Sequence, residues 1–374
     1  MAIMQSTKHA TGEELGASLT KLPATLSSRR PASQQSRFGM LTTFESDRVE
    51  VLSIGEAMVL VAPQQLSRLA SAPICTLTAA GAESNVAKVV ASLGHTAAWF
   101  SAVGDDPFGH LILADLEGVG VDTGTVVVSV EHRTGLYAKD PDPSGSRVYY
   151  YRDGSAASHL RPQDLPKLAG QPRVVHTSGI MAALSETCDD LITSVVTDRI
   201  YGDALVSFDV NFRSQLWQSS EVASARILKL AVASDVVFVG LDEAEELWGT
   251  RTVDEVRELM PGVSRLVVKD GARDAIEFGR GSRTVERAAG VSVVDLVGAG
   301  DAFAGGWLSA WLAGRDASHR LRLGHLMASR VLHTTGDYAP PPNRDEIDSA
   351  LTAWPPNESR EGPYAVSADR TAHG

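Results

Sequence analysis

An aspartate placed directly after three residues with almost no side chain is the most chemically suggestive feature of this sequence. In "DLVGAGDAFAGGWLSAW" (295–311), Gly298, Ala299 and Gly300 precede Asp301, and an apolar run of helical character follows. A charge at the mouth of a buried helix is costly unless something uses it. Small residues at a strand-to-helix turn let backbone N–H groups converge, and with the helix dipole behind them they form an anion hole. An aspartate in the first helical turn can then accept the proton of a bound hydroxyl. A base beside an anion hole is what phosphoryl transfer to an alcohol requires. A plain helix N-cap accounts for the same aspartate without chemistry, contributing about 0.5–2 kcal/mol. This stretch alone leaves both readings open. The common phosphate fingerprints do not decide it, since GxxxxGK(S/T) is absent and Phe303 stands where GxGxxG needs its third glycine.

Two further groups could act on a ligand. "TGLYAKDPDPSGSRVYYYRDGSA" (134–156) reads as strand, turn, strand, with Pro and Gly in the turn. Strand alternation puts Tyr150 and Arg152 on one face and Tyr149 and Tyr151 on the other. Aromatics on a flap usually cover something, and an arginine fork pairs bidentately with a carboxylate, which points to an acidic ligand. The alternative for Arg152 is a solvated hairpin residue. In "SFDVNFRSQLW" (207–217), Asp209, Asn211 and Arg213 share strand parity at a strand's carboxyl end, where open α/β sheets bind ligands. An Arg213–Asp209 ion pair is the structural alternative. His159 and His176 read as lid or packing residues rather than metal ligands, and Trp217, Trp248, Trp307 and Trp311 as core.

The elements that must position these groups alternate. "VEVLSIG" (49–55), "AAWFSAVG" (97–104), "RVVHTSG" (173–179), "ALVSFDVN" (204–211), "DVVFVG" (235–240), "RLVVKDG" (265–271) and "VSVVDL" (291–296) are strand-like, and helical patterns separate most of them. "ESNVAKVVASLG" (83–94) and "PFGHLILADLEGVG" (107–120) are helices ending in glycine. Such alternation predicts βαβ units and a mostly parallel sheet with helices on both faces, with the 134–156 flap outside it as a lid. Residues 1–48 form a polar extension without apolar periodicity, 49–353 the folded domain, and 354–374 a Pro- and charge-rich tail.

The 374-residue chain has a formal net charge of -12, which argues against nucleic acid and anionic membrane as main partners. Its two cysteines, Cys75 and Cys188, have no CxxC spacing and suit a reducing cytoplasm. No run of about 18 apolar residues occurs, so no membrane span is expected.

Several of these segments together resemble the ribokinase-like (PfkB) carbohydrate kinases. "GAGDAFAGG" is similar to that family's C-terminal signature, and "GAESNVAKVVASLG" with "VGDDPFGHLILADLEGVGVD" to its N-terminal one. "SFDVNFRSQLW" resembles its FDxNxR segment and "LDEAEEL" (241–247) its acidic NxxE region. The likeness spans roughly 50–350, in the family's order. "GEAM" (55–58), "TGLY" (134–137) and "YYYRDGSAASHL" (149–160) most resemble members acting on 2-keto-3-deoxygluconate.

The resemblance implies a three-layer α/β/α sandwich with a small β lid, using ATP and Mg²⁺ to phosphorylate a sugar's primary hydroxyl. It implies Asp301 as catalytic base and the backbone of Gly298, Ala299 and Gly300 as anion hole. Gly81, Asn85, Tyr137, Tyr150 and Arg152 would meet the sugar, and Arg213 the sugar and the transferred phosphate. Lys269 and Gly271 would fall in a nucleotide-side loop, and Glu243 would be tied to Mg²⁺ and its waters. The sequence departs from the family pattern at Ala80, Gly240, Asp274 and Leu296, the last three on the nucleotide side. The open edge of the lid sheet leads to the expectation of a homodimer paired through the lids. Other sugars such as fructose or ribose, and a sugar-binding sensor without catalysis, are the competing readings. A nicotinamide dehydrogenase fails for want of a dinucleotide fingerprint.

Overall fold

The computed structural model describes residues 49–354 except 66, 143–144, 289–294 and 335. The predicted 1–48 extension, the tail beyond Trp354 and residues 291–294 of the last expected strand lie outside the described residues.

The described part of the chain opens with β1 (Val51–Ile54), crosses into β2 (Met58–Pro63) and β3 (Cys75–Ala80) of a smaller sheet, and returns through α1 (Ala82–Ser92) to β4 (Ala97–Phe100). β5 (Ala102–Gly104), α2 (Pro107–Gly118) and β6 (Val127–Ser129) follow, then the hairpin β7 (Leu136–Asp142) and β8 (Gly145–Tyr151). Regular alternation takes over with β9 (Val174–Ser178), α3 (Gly179–Ala183), α4 (Glu186–Val196), β10 (Leu205–Asp209), α5 (Ser220–Val232) and β11 (Val236–Gly240). After α6 (Leu241–Trp248), α7 (Val253–Leu259) and β12 (Arg265–Asp270) come β13 (Asp274–Phe278) and β14 (Arg283–Arg287). Three helices close the fold: α8 (Ala299–Leu312), α9 (Ala317–Leu332) and α10 (Arg344–Thr352).

The main sheet runs β14-β13-β12-β11-β10-β9-β1-β4. It is parallel from β12 to β4, with β13 and β14 antiparallel at one edge. Alternate residues of β11 feed opposite cores, as strand geometry requires. Val237 and Val239 pack with Leu191, Ile227 and Leu247 from α4, α5 and α6. Val236 and Phe238 pack with Val90, Ile112 and Trp307 from α1, α2 and α8. The result is the predicted α/β/α sandwich. Trp307 is fully buried at its centre, its indole N–H donating to Glu277 Oε2 at 2.9 Å. No helix among the described residues is long and apolar enough to cross a membrane.

Four expectations are corrected. The 97–104 strand is two strands broken at Ser101: β4 stays in the main sheet, whereas β5 pairs with β6. The flap is half of a four-stranded sheet, β3-β2-β7-β8, in which β2 lies parallel to β7. The 204–211 strand ends at Asp209, because Asn211 turns into the left-handed region at φ 36°. An Asx turn stabilises that bend, Asn211 N–H donating to Asp209 Oδ1 at 3.2 Å. Trp354, assigned to the tail, stacks on His325 with ring centroids 6.1 Å apart.

Candidate active site

Asp301 owes its position to Gly298. The turn before α8 needs a left-handed N-cap, φ 81°, and a Cβ at that position would lie 2.2 Å from the carbonyl oxygen of Asp337. Glycine meets both demands. Helix α8 then starts with Ala299, whose N–H makes a long bond to Leu296 O at 3.4 Å. The N–H groups of Gly300 and Asp301 have no acceptor within the helix, as at any helix start. The Asp301 carboxylate makes no capping bond to its own helix. Its Oδ2 accepts from Asn85 Nδ2 at 3.0 Å and its Oδ1 from Asn211 Nδ2 at 3.4 Å. Of the two readings left open by the sequence, the N-cap is therefore not the one the geometry adopts.

Burial pushes the Asp301 carboxyl up to about 6. The Asn85 bond and the Arg213 guanidinium work against that rise, and the Asp209 and Asp337 carboxylates add to it. A carboxylate so placed is ionised at neutral pH yet basic enough to take a hydroxyl proton. Asn85 stands in the first turn of α1, whose N-cap Gly81 packs so closely that a Cβ there would lie 2.5 Å from Glu56 O. The Oδ1 atoms of Asn85 and Asn211 are buried and unpartnered. Both are acceptors open to a donor such as a ligand hydroxyl.

These groups line a cleft of about 750 Å³ between the carboxyl edge of the main sheet and the lid. From the lid, Tyr137 donates its hydroxyl to Asp337 Oδ2 at 2.7 Å and stacks on Tyr150 at 5.7 Å. The Arg152 guanidinium lies 5.8 Å from the Tyr150 ring centroid, so the parity expected of these two residues holds. Tyr149 and Tyr151 are exposed and do not line the cleft.

Most of the cations in the cleft are already matched. Arg152 pairs with the buried Glu56, although its Nε is buried without a hydrogen bond. Lys269 pairs with Asp209 at 3.2 Å, and Lys139 with Asp295 at 2.8 Å. Burial alone would lower the Lys269 pKa, but the Asp209 and Glu243 carboxylates outweigh it and hold the ammonium charged. Arg213 donates to the backbone oxygen of Phe212 at 2.8 Å and has no carboxylate partner among the described residues. The Arg213–Asp209 pair raised as an alternative does not form, because Lys269 takes Asp209.

Comparison with known proteins places the chain. The model of the pfkB family carbohydrate kinase matches residues 49–344. The chain belongs to the pfkB family of carbohydrate kinases. It is 33% identical over 326 residues to the 2-dehydro-3-deoxygluconokinase of Bacillus subtilis (strain 168), an alignment covering 85% of this chain and 100% of that protein. It is also 33% identical over 263 residues to Fructokinase-1 of Oryza sativa subsp. japonica, covering 69% and 81%. The solved PfkB protein from Polaromonas sp. JS666 shares 33% identity and superposes with a TM-score of 0.72, covering 81% of this chain and 100% of that one.

For a sugar kinase of this family, one assignment needs revision. Lys269 is a residue of β12 and not of a loop, so its ammonium is held by the sheet beside Asp209; Gly271 lies just beyond, in the turn. Glu243 caps α6: its Oε2 accepts from Gly240 N–H at 2.8 Å and its Oε1 from Phe212 N–H at 2.9 Å. Burial raises its pKa and Asp209 adds to the rise, while Lys269 opposes it. Each Glu243 oxygen accepts one amide N–H and keeps a second lone pair, and the residue lines the cleft, so its chemistry still fits a tie to Mg²⁺ and its waters. No group of three acidic, histidine or cysteine side chains among the described residues forms a metal cage. A Mg²⁺ carried by nucleotide phosphates would meet Glu243 at the cleft wall and would supply neutralisation of phosphate charge there. Gly240 is the α6 N-cap, Leu296 is exposed in the turn before α8, and Asp274 opens β13 beside Arg287 at 3.9 Å. Glu56, Lys139 and Asp337 were not anticipated. Their partners are distant in sequence, and no spacing or periodicity marks them.

Proposed function

We propose that the kinase transfers the γ-phosphoryl group of ATP to the primary hydroxyl of 2-dehydro-3-deoxy-D-gluconate, giving the 6-phosphate and ADP. The acceptor oxygen attacks the γ-phosphorus, its proton passes to Asp301, and the bond to the β-phosphate oxygen breaks. The N–H groups at the start of α8 and the Arg213 guanidinium hold the charge that develops on the phosphoryl oxygens. Asn85 and Asn211 orient Asp301 and offer their free Oδ1 atoms to sugar hydroxyls. The lid excludes water, which would compete as acceptor. Mg²⁺ would neutralise phosphate charge as part of the nucleotide.

The observation that carries this reading is the half-buried Asp301, held by two asparagines at the mouth of α8 beside Arg213. The acid sugar is supported by the unpartnered Nε of Arg152 and by the relative from Bacillus subtilis. One observation favours a second reading, a neutral sugar such as fructose: Arg152 already has the Glu56 carboxylate. ATP turnover with 2-dehydro-3-deoxygluconate, gluconate, fructose and ribose, with Asp301→Ala as control, separates the two. Turnover confined to the keto-deoxy acid and lost in the variant is expected. Turnover on a neutral sugar alone would leave the kinase and remove the acid. We also propose a homodimer through the exposed lid face, on which Leu77 and Tyr151 are 47% and 64% exposed. Sedimentation as a monomer at working concentration would refute it.

A further inference from the structure

Lys139 has no part in the mechanism above, yet it is a buried cation facing the catalytic turn. It stands two residues after Tyr137 on β7, so both side chains leave the same face of the lid. Its Nζ lies 2.8 Å from Asp295 Oδ2 and 3.5 Å from Asp337 Oδ1, while Tyr137 holds the other oxygen of Asp337. The two carboxylates embrace the turn before α8. Asp295 Oδ1 accepts the N–H of Val297 at 3.1 Å, inside the turn, and the Asp337 backbone oxygen fills the space against Gly298. Asp337 Oδ1 has no hydrogen bond of its own. Without an ammonium between them, two like charges would flank the segment that must hold its N–H groups in place.

We propose that Lys139 is a positioning residue for phosphoryl transfer. It ties the lid to Asp295 and Asp337, so that the lid closed over the sugar also sets the anion-hole turn. The inference rests on the kinase reading, because it gives the 298–301 turn its purpose. A displacement of that turn by about 1 Å is expected to lower kcat on the order of a hundredfold. Substrate binding itself needs only the lid residues that touch it.

The test is Lys139→Ala in the full chain, with Lys139→Met as the variant that keeps the stem packed if the first fails to fold. We expect kcat to fall about tenfold to a hundredfold with the sugar KM within about threefold, the signature of a loss confined to the transition state. Ethylammonium should restore part of kcat, whereas tetramethylammonium at equal ionic strength, which has no N–H, should not. Hydrogen exchange across 296–301 should quicken in the variant and slow again with ethylammonium. Wild-type kcat with unchanged exchange would overturn the proposal. So would a rise in sugar KM at constant kcat, which would make Lys139 a ligand contact only. If the wild type turns over no sugar, the kinase reading fails on its own, and the exchange measurement still decides whether Lys139 holds the turn.

Discussion

The two walls of the cleft are held in opposite ways. On the sheet edge each charged group is fixed by neighbours on the same rigid scaffold. Asp209 on β10 is bound by Lys269 from β12, two strands away in the same sheet, Glu243 by two backbone amides, and Asp301 by two asparagines. On the lid, three polar groups reach across a gap to a carboxylate elsewhere: Tyr137 to Asp337, Lys139 to Asp295, Arg152 to Glu56. The edge is thus preorganised, and the lid acquires its geometry by docking. Preorganised dipoles act on the chemical step, whereas docked groups act on which substrate is accepted and when. Substitutions on the edge, and at Lys139 through the turn it holds, should therefore move kcat, whereas those at the lid's Tyr150 and Arg152 should move discrimination between sugars.

The largest effect is expected at Asp301. Asp301→Asn keeps the shape and the contacts to Asn85 but removes the base, and kcat should fall about a thousandfold or more with sugar KM little changed. A fall of less than tenfold in steady-state turnover would return Asp301 to a structural role and erase the contrast between the walls. The lid counterpart is Arg152→Lys, which keeps the charge opposite Glu56 and loses the fork. It should reduce kcat/KM for the acid sugar about tenfold and leave neutral sugars within about twofold. Equal losses on both sugars would mean that Arg152 serves Glu56 alone.

A smaller and more graded effect follows from pH. Asp301 must be unprotonated to act as base, and burial sets its pKa at about 6. The kcat/KM profile should be flat above about pH 7 and fall about tenfold per pH unit below 6. In Asn85→Ala the hydrogen bond that favours the charged form is gone, so the acid limb should move to higher pH. An acid limb that stays put would show that Asn85 does not hold the carboxylate.

The same division of the cleft governs what could be read from the chain. The edge was largely legible because its chemistry sits in contiguous motifs at strand ends. Gly298 to Asp301 is one such run, and Asp209 to Arg213 another. Even there parity misled, since Asn211 leaves the strand through a left-handed turn that an Asx bond stabilises. Glu243 was legible as an important acid, but its cap geometry was hidden, because one of its partners, Phe212, lies in another loop. The lid was half legible. The 134–156 hairpin announces itself through its own turn, whereas β2 and β3 are recruited from before α1 and join β7 by a parallel pairing that no local turn foretells. Lys139, Asp337 and Glu56 meet only in the folded chain.

Glu83 offers the smallest effect on activity and the clearest control. It lies on the edge side, in the first turn of α1, fully buried; one oxygen accepts from Ser178 and the other, Oε2, has no partner. Burial pushes its pKa up to about 7. The folded state therefore binds this proton more tightly than the unfolded chain, whose glutamate titrates near 4.5. As pH rises from about 4.5 to about 7 the unfolded state releases its proton first, folding stability declines across that window, and the full cost is present above it. Glu83→Gln is isosteric in a site too tight for growth, since a Cβ on Gly55 would lie 2.0 Å from the Glu83 carboxyl. It should raise stability at pH 8 by on the order of 2–3 kcal/mol, lose that advantage near pH 4, and change turnover by less than about threefold. Denaturant unfolding at the two pH values checks the first part and steady-state kinetics the second. A stabilised variant with intact turnover would show that a buried acid on the preorganised wall is not catalytic merely by standing near Asp301. A large loss of turnover would extend the catalytic group along α1 and draw the boundary between the two walls elsewhere.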